Sequence, residues 1–265
     1  MVKRILFIFI LLVSTFSFSQ LSKNHYIPPI SSGPSNADPL DQLMYISTPN
    51  QGDVNFTINI VGGNSISGTV SNATPYVYGI ADSGYSSFVQ DPATTSRVTS
   101  DKGYIINADS PIYVSVRLNA GGNAQAGALV SKGENALGTT FRIGTYDNQG
   151  NPGSNYLNFF SFMATEDNTT VNLTNERVTS GLQIQNAGAQ QFPINNISLN
   201  RGQTYVVAVR PQDTNENRAG LIGTLVSSDK PIVVNSGSAN GSFGNGNARD
   251  YGIDQIVELS KVGKE

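Results

Sequence analysis

One segment of this chain occurs twice, and it limits the fold more than any other feature. Gly103-Tyr104-Ile105-Ile106-Asn107-Ala108-Asp109-Ser110-Pro111-Ile112-Tyr113-Val114 returns 120 positions later as Gly223-Thr224-Leu225-Val226-Ser227-Ser228-Asp229-Lys230-Pro231-Ile232-Val233-Val234. Each copy reads as a short apolar strand, an Asp-X-Pro stop and a second strand that begins at Ile112 or Ile232. Asp hydrogen-bonds nearby amides, and Pro fixes its own φ while pushing its predecessor to extended geometry. The expectation is a strand-turn-strand unit used twice.

Alternation elsewhere supports duplication. Phe56, Ile58 and Ile60 alternate with Asn55, Thr57 and Asn59, and Val171 and Leu173 repeat that pattern 115 positions on. This is the signature of half-buried strands. Ile112, Val114, Val116 and Leu118 form the clearest alternating face, and Tyr205, Val207 and Val209 mirror the strand that starts at Tyr76. Tyr156 to Ala164 is almost wholly apolar, which predicts a central strand covered on both faces. No segment after Val13 keeps a 3.6-residue period beyond one turn. The fold expected is all-β: two related antiparallel β-sandwich-like units in tandem, with no substantial helix after the leader. The divisions expected are 1–19 signal peptide, 20–50 extended lead-in, 51–150 first β unit and 151–265 second β unit. The second unit is expected to be truncated, because Leu259-Ser260-Lys261 resembles Leu129-Val130-Ser131-Lys132 but no counterpart of Phe141-Arg142-Ile143 follows.

The amino terminus pairs Lys3-Arg4 with an apolar run from Ile5 to Val13, then places Ser17 and Ser19 before Gln20. That is a secretory signal peptide with cleavage after Ser19, and its core is shorter than the roughly 20 residues that span a bilayer. Cleavage takes Lys3 and Arg4 from 16 basic residues against 19 acidic ones, leaving a mature net charge of −5. Such a charge offers no attraction to nucleic acid. With no cysteine, an exported chain of this size must be held by its core and not by disulfides.

Several residues together point to a known family. Asn168-Thr169-Thr170-Val171, the strand from Gly202 through Val209, the turn Ser228-Asp229-Lys230-Pro231-Ile232-Val233-Val234 and the tail Asp254-Gln255-Ile256-Val257 resemble, in this order, the IgGFc-binding protein N-terminal domain family. The resemblance covers nearly all of 21–265 and is greatest to large exported proteins of gliding Bacteroidetes, where such a region precedes a type IX secretion sorting module. It implies a non-catalytic scaffold for binding at the cell surface, with no catalytic residues to transfer.

Catalytic constellations are not evident. The single histidine, His25, lies in the proline-rich lead-in and reads as a surface or strand-entry residue. Glu134, Glu166, Asp167 and Asp250 are the carboxylates from which a hydrolytic pair would be drawn. Gly62-Gly63 and Gly121-Gly122 lack the Gly-Lys-Ser/Thr of a phosphate loop. Tyr85, Tyr146 and Tyr251 are placed in loops, where a ring could stack on a sugar. The stretch from Ser236 to Asp254 reads as a long loop inside a unit, and such loops carry function more often than linkers do. Asn240, Asn245, Asn247, Arg249, Asp250, Tyr251 and Asp254 form its candidate ligand set, able to hold Ca²⁺ through clustered oxygens or a sugar through Arg249, Asp250 and Tyr251. The function expected is a non-catalytic binding or adhesion module of a large secreted or cell-surface protein, with a surface protein or glycan as partner. The alternatives are a carbohydrate-binding module of an exported polysaccharide-degrading system and, third, a hydrolase.

Overall fold

The computed structural model describes residues 20–33, 39–122, 124–177, 181–188, 191–242 and 249–262. The signal peptide and its cleavage site lie outside the described residues. In chain order the strands are β1 (Ser22–Ile27), β2 (Ile30–Ser31), β3 (Pro39–Ser47), β4 (Val54–Ile60), β5 (Ser65–Val70), β6 (Tyr76–Ser83), β7 (Val89–Gln90), β8 (Val98–Thr99) and β9 (Tyr104–Ala120). They continue as β10 (Gln125–Val130), β11 (Gly138–Arg142), β12 (Leu157–Ala164), β13 (Thr169–Thr174), β14 (Ile194–Leu199), β15 (Thr204–Val209), β16 (Leu225–Gly241) and β17 (Asp250–Ile256). Among the described residues the only helical pieces are 3-10 turns, so the all-β expectation holds.

The repeated segment is not a strand, a turn and a strand. Each copy runs straight through its Asp-X-Pro as one 17-residue strand, β9 or β16. What changes at the proline is the set of neighbours. Residues 104–108 of β9 pair with β4 and β1, whereas residues 113–120 pair with β3 and β10. β16 does the same, passing from β13 and β11 to β12 and β17. A strand that crosses from one layer of a sandwich to the other has a corner where neither ladder needs its N–H, and a proline fits there. The local signals that stop a strand therefore also mark a corner. The aspartate secures that corner from the side: Asp109 accepts from Asn55 Nδ2 at 2.8 Å, and Asp229 accepts from the Thr170 amide at 2.7 Å. Thr48 and Thr165 donate to the carbonyls of Pro111 and Pro231.

Strand for strand, the two sheets are built alike. In the first, β5-β4-β9-β1 form one layer and β6-β3-β9-β10 the other; in the second, β14-β13-β16-β11 answer β15-β12-β16-β17. The registers also correspond, with Phe56 opposite Ala108 and Val171 opposite Ser228. β1 and β11 even share an irregularity at the same place, Ser22 pairing Ile112 before Asn24 pairs Asn107, and Gly138 pairing Ile232 before Thr140 pairs Ser227.

That equivalence redraws the expected divisions. The lead-in of 20–50 contains β1 and β3, both hydrogen-bonded to β9, so it is part of the first sheet. Thr140 to Arg142, assigned to the first unit, pairs with β16 and opens the second sheet. The counterpart of Phe141 is thus His25 in β1, not a strand after Lys261, and the reason for expecting a missing strand falls away. The Ser-Lys segments are alike in sequence but differ in place: Ser131-Lys132 precedes the 3-10 turn Gly133–Ala136, whereas Ser260-Lys261 lies within the turn Leu259–Lys261.

The second sheet's β12 layer is buried on both faces. Phe160 and Phe162 enter the second core, while Leu157 and Phe159 join the first core beside Ile27, Ile30, Phe88 and Val89. This explains the continuous apolar run of Tyr156 to Ala164. Between the units lies the segment Tyr26 to Pro29, whose carbonyls are taken out of water. Ser161, Asn235 and Gln255 stand in one row across β12, β16 and β17 and are all fully buried. Ser161 Oγ donates to Pro29 O at 2.5 Å, Asn235 Nδ2 to Pro28 O at 2.8 Å and Gln255 Nε2 to Tyr26 O at 2.8 Å. Gln255 Oε1 then accepts from Lys132 N at 2.7 Å, with Ser131 Oγ 3.2 Å away.

His25 corrects its expected exposure: it is fully buried in β1. Its Nε2 faces the carbonyls of Ser22 (3.2 Å) and Ile112 (3.0 Å), which places the hydrogen there, and Nδ1 accepts from Ser131 Oγ at 2.9 Å. Burial pulls its pKa below the ordinary imidazole value, against the opposing pull of the two carbonyls and the charge of Glu134. A histidine that resists protonation when folded takes up its proton more readily when unfolded.

Two predictions follow from this packing. Ile112 and Ile232 are fully buried and Tyr113 is half-buried, so Ile112→Asp and Ile232→Asp each cost more than about 4 kcal/mol while Tyr113→Ser stays within about 1–2 kcal/mol. Chemical denaturation checks this; an Ile232→Asp midpoint near wild type contradicts the strand facing. For His25, stability is complete above about pH 6.5 and falls as pH drops from there through the lower folded-state value. Melting temperatures recorded from neutral to mildly acid pH should decline in that window, and a His25→Gln variant should lack that component of the decline.

Candidate functional site

A groove of about 380 Å³ opens between the chain following β11 and the paired strands β16 and β17, lined by Gly144, Thr145, Tyr146, Ser236, Gly237, Gly252, Ile253 and Asp254. Two hydrogen bonds pin its wall: Ser236 Oγ donates to Gly144 O at 2.7 Å, and the Tyr146 amide donates to Ser238 Oγ at 3.0 Å. Behind them Asn158 ties Tyr146 O to Arg218 O through Nδ2 and accepts from Ser238 Oγ and Asn148 Nδ2 through Oδ1.

Tyr146 lies across the strand backbone at positions that lack side chains. A Cβ on Gly252 would run into the phenol group, and one on Gly241 would come within 2.7 Å of the ring. Gly237 meets the carbonyl of Gly252 in the same way. Small residues are thus required where two strands and a ring are stacked. Half-burial and the nearby charge of Asp250 raise the Tyr146 pKa, so its hydroxyl stays protonated and able to donate at neutral pH. At the groove's other end Lys132 Nζ holds both oxygens of Asp254 at 2.8 Å, with the carboxylate side chain 62% exposed. An ion pair this open is worth at most about 1 kcal/mol, and Asp254 is free to exchange partners.

The candidate ligand set is divided by the fold. Ser236 to Gly241 belongs to β16 and Asp250 to Asp254 to β17, so most of the expected loop is paired strand. Its Gly, Ser and Asn content reflects close packing in a sheet covered on both faces, which is a composition shared with flexible loops. Asn240 is fully buried at φ +56°, and its side-chain oxygen and nitrogen have no hydrogen-bond partner among the described residues. Asn245 and Asn247 lie outside the described residues. Arg249 is exposed. Asp250 accepts from the Ala126 amide at 2.6 Å and so bridges β17 to β10, and Tyr251 is buried against Gly127 in the first core. Of the described members of the set, Asp254 alone lines the groove. Among the described residues no three His, Asp or Glu side chains come together as a metal site.

The other candidates separate similarly. Tyr85 is 49% exposed, Tyr146 is half-buried over the groove and Tyr251 is buried in a strand. Of the carboxylates weighed for hydrolysis, Glu134 accepts from Asn24, Asp167 from the Arg201 amide and Asp250 from β10, each on a different element. A larger hollow of about 460 Å³ on the first unit, lined by residues such as Asn55, Thr57, Ser67 and Asn107, has no exposed aromatic ring. The residues that sequence reasoning missed, Thr145, Gly237 and Gly252, had one available signal: glycines spaced along two runs of small residues opposite a loop tyrosine.

Substitution separates the glycine that supports the ring from one that does not. Gly252→Ala should cost about 1–3 kcal/mol by displacing Tyr146 or the strand, whereas Gly144→Ala, with nothing near its added Cβ, should change stability by less than about 0.5 kcal/mol. Equal effects in denaturant titrations would contradict this account of the groove.

A family model described as IgGFc binding protein matches residues 126–265, which takes in β10, every strand of the second sheet beyond it and the whole Tyr146 groove. No curated protein and no solved structure matches. With just over half its length matched, the chain belongs to the IgGFc-binding protein family.

Proposed function

We propose that this chain is a non-catalytic binding module of a larger secreted or cell-surface adhesion protein, and that the Tyr146 groove is where it meets its partner. The observation that carries the reading is the groove's chemistry. It offers a half-exposed ring, the hydroxyls of Thr145 and Tyr146 and one exchangeable carboxylate, with no nucleophile beside a base. Such a surface holds a neutral polar partner by stacking and hydrogen bonds. Export rests on the basic start and apolar run of residues 3–13, and the type IX secretion context rests on the resemblance of the mature sequence to gliding-bacterial surface proteins.

A carbohydrate-binding module is the second reading, favoured by the ring of Tyr146 beside Asp254, since sugars present both an apolar face and hydroxyls. Glycan arrays and attachment assays on the cell surface distinguish a sugar from a protein partner, with an immunoglobulin Fc fragment as a third arm because the family description names it. Tyr146→Ala and Asp254→Ala should each weaken the binding that wild type shows by about tenfold, equivalent to about 1.4 kcal/mol. Unaltered binding by both variants would remove the groove from the proposal. A calcium-dependent rise in melting temperature, lost in Asp254→Ala, would instead assign the carboxylate to a metal.

A further inference from the structure

The duplication allows one unit to be read against the other, residue by residue. In the second unit the row Val206, Ser161, Asn235 and Gln255 crosses β15, β12, β16 and β17 and is wholly buried under the first unit. Register places Val77, Tyr45, Ser115 and Val130 at the same positions across β6, β3, β9 and β10. Exposure here is greater: Val77 is 49% exposed, Tyr45 and Val130 are half-buried, and of the four Ser115 alone is buried. Leu43 and Tyr113 extend the apolar patch, and Arg117 stacks on the Tyr45 ring at 5.3 Å.

The sheet edge differs in the same sense. β15 is covered by β8, with Thr99 and Thr204 joined through their hydroxyls at 2.8 Å and Ser96 N donating to Val206 O. Among the described residues no strand pairs with the equivalent edge of β6.

We infer that this face of the first unit docks the second unit of another copy of this chain, continuing head to tail the packing that joins the two units internally. The part of the first unit that covers the second is built from its connections β1 to β3 and β6 to β9. The corresponding connections of the second unit, 143–156 and 210–224, are not used in that way within the chain. They carry Asp147, Asp213 and Glu216 beside Arg210 and Arg218; Arg210 lies 3.8 Å from Asp213, which leaves the exposed Glu216 as the acid set against Arg117 on the receiving face. A contact of this kind is heterologous, so copies add in series instead of closing a two-fold dimer. The connection 143–156 includes Gly144 to Tyr146 of the groove wall, but the docking follows from the duplicated packing and not from that groove binding a partner.

Sedimentation velocity of the mature chain, from low micromolar to near-millimolar concentration, tests this. The weight-average mass should rise with concentration and fall with added salt. Tyr45→Ser combined with Val77→Lys should weaken association at least tenfold, while Leu259→Lys, at an exposed apolar residue elsewhere, leaves it unchanged. Arg117→Glu should weaken it, and Glu216→Arg in the same chain should restore it. A monomer at every concentration overturns the inference. So does association that the Tyr45 and Val77 changes leave intact, or an Arg117→Glu defect that Glu216→Arg fails to repair.

Discussion

Three backbone carbonyls decide how this molecule holds together. Tyr26, Pro28 and Pro29 lie between two sheets, where water cannot reach their oxygens, and an unpaired buried carbonyl costs about 1–3 kcal/mol. Proline cannot donate a ladder hydrogen bond, so this segment cannot pair as an ordinary central strand. The row Ser161, Asn235 and Gln255 supplies the missing donors from three neighbouring strands in register. The rest of the junction follows from that row. Gln255 reaches on to Ser131 and Lys132, Ser131 to His25, and His25 to the carbonyl of Ile112 in the first long strand. An isolated polar residue in this layer would be destabilising; a fully connected set fixes one orientation of the two units.

The corner strands make such a junction available. Because β9 and β16 each cross both layers, they tie the two large sheets together, β1, β3, β4 and β10 pairing directly with β9 and β11, β12, β13 and β17 with β16. Non-local pairing of this kind carries a large ordering cost, and it is offset here by cores rich in Ile, Val and Phe. The same design leaves the two halves of each corner strand in different environments. In β16 the second half is buried at every position from Ile232 to Gly241, which requires side chains as small as glycine and serine wherever neighbours approach closely.

That requirement explains what the sequence disclosed and what it concealed. Alternation at Phe56, Ile112 and Val171 revealed the strands and the duplication because period-2 patterning records burial on one face. Tyr156 to Ala164 was legible for the converse reason, burial on both faces. The proline corner was misread, since a strand that changes partners and a strand that ends have the same local residues. His25 was misplaced because its partners, Ser131 and Ile112, are remote in sequence. At the site, Tyr146 and Asp254 were both noticed, but not as neighbours. Asp250 and Tyr251 were taken for ligand groups because the Gly-rich run before them looked like an open loop, whereas they join β17 to the first unit.

The central claim is that the buried polar row makes two duplicated units into one cooperative body. Differential scanning calorimetry of the mature chain measures this most directly, through the ratio of van't Hoff to calorimetric enthalpy. The account predicts a ratio near one for wild type. In a variant carrying Asn235→Leu and Gln255→Leu, which leaves the Pro28 and Tyr26 carbonyls without donors, it predicts two separate transitions. Two independent transitions in wild type, or a single unshifted transition in the variant, would contradict it.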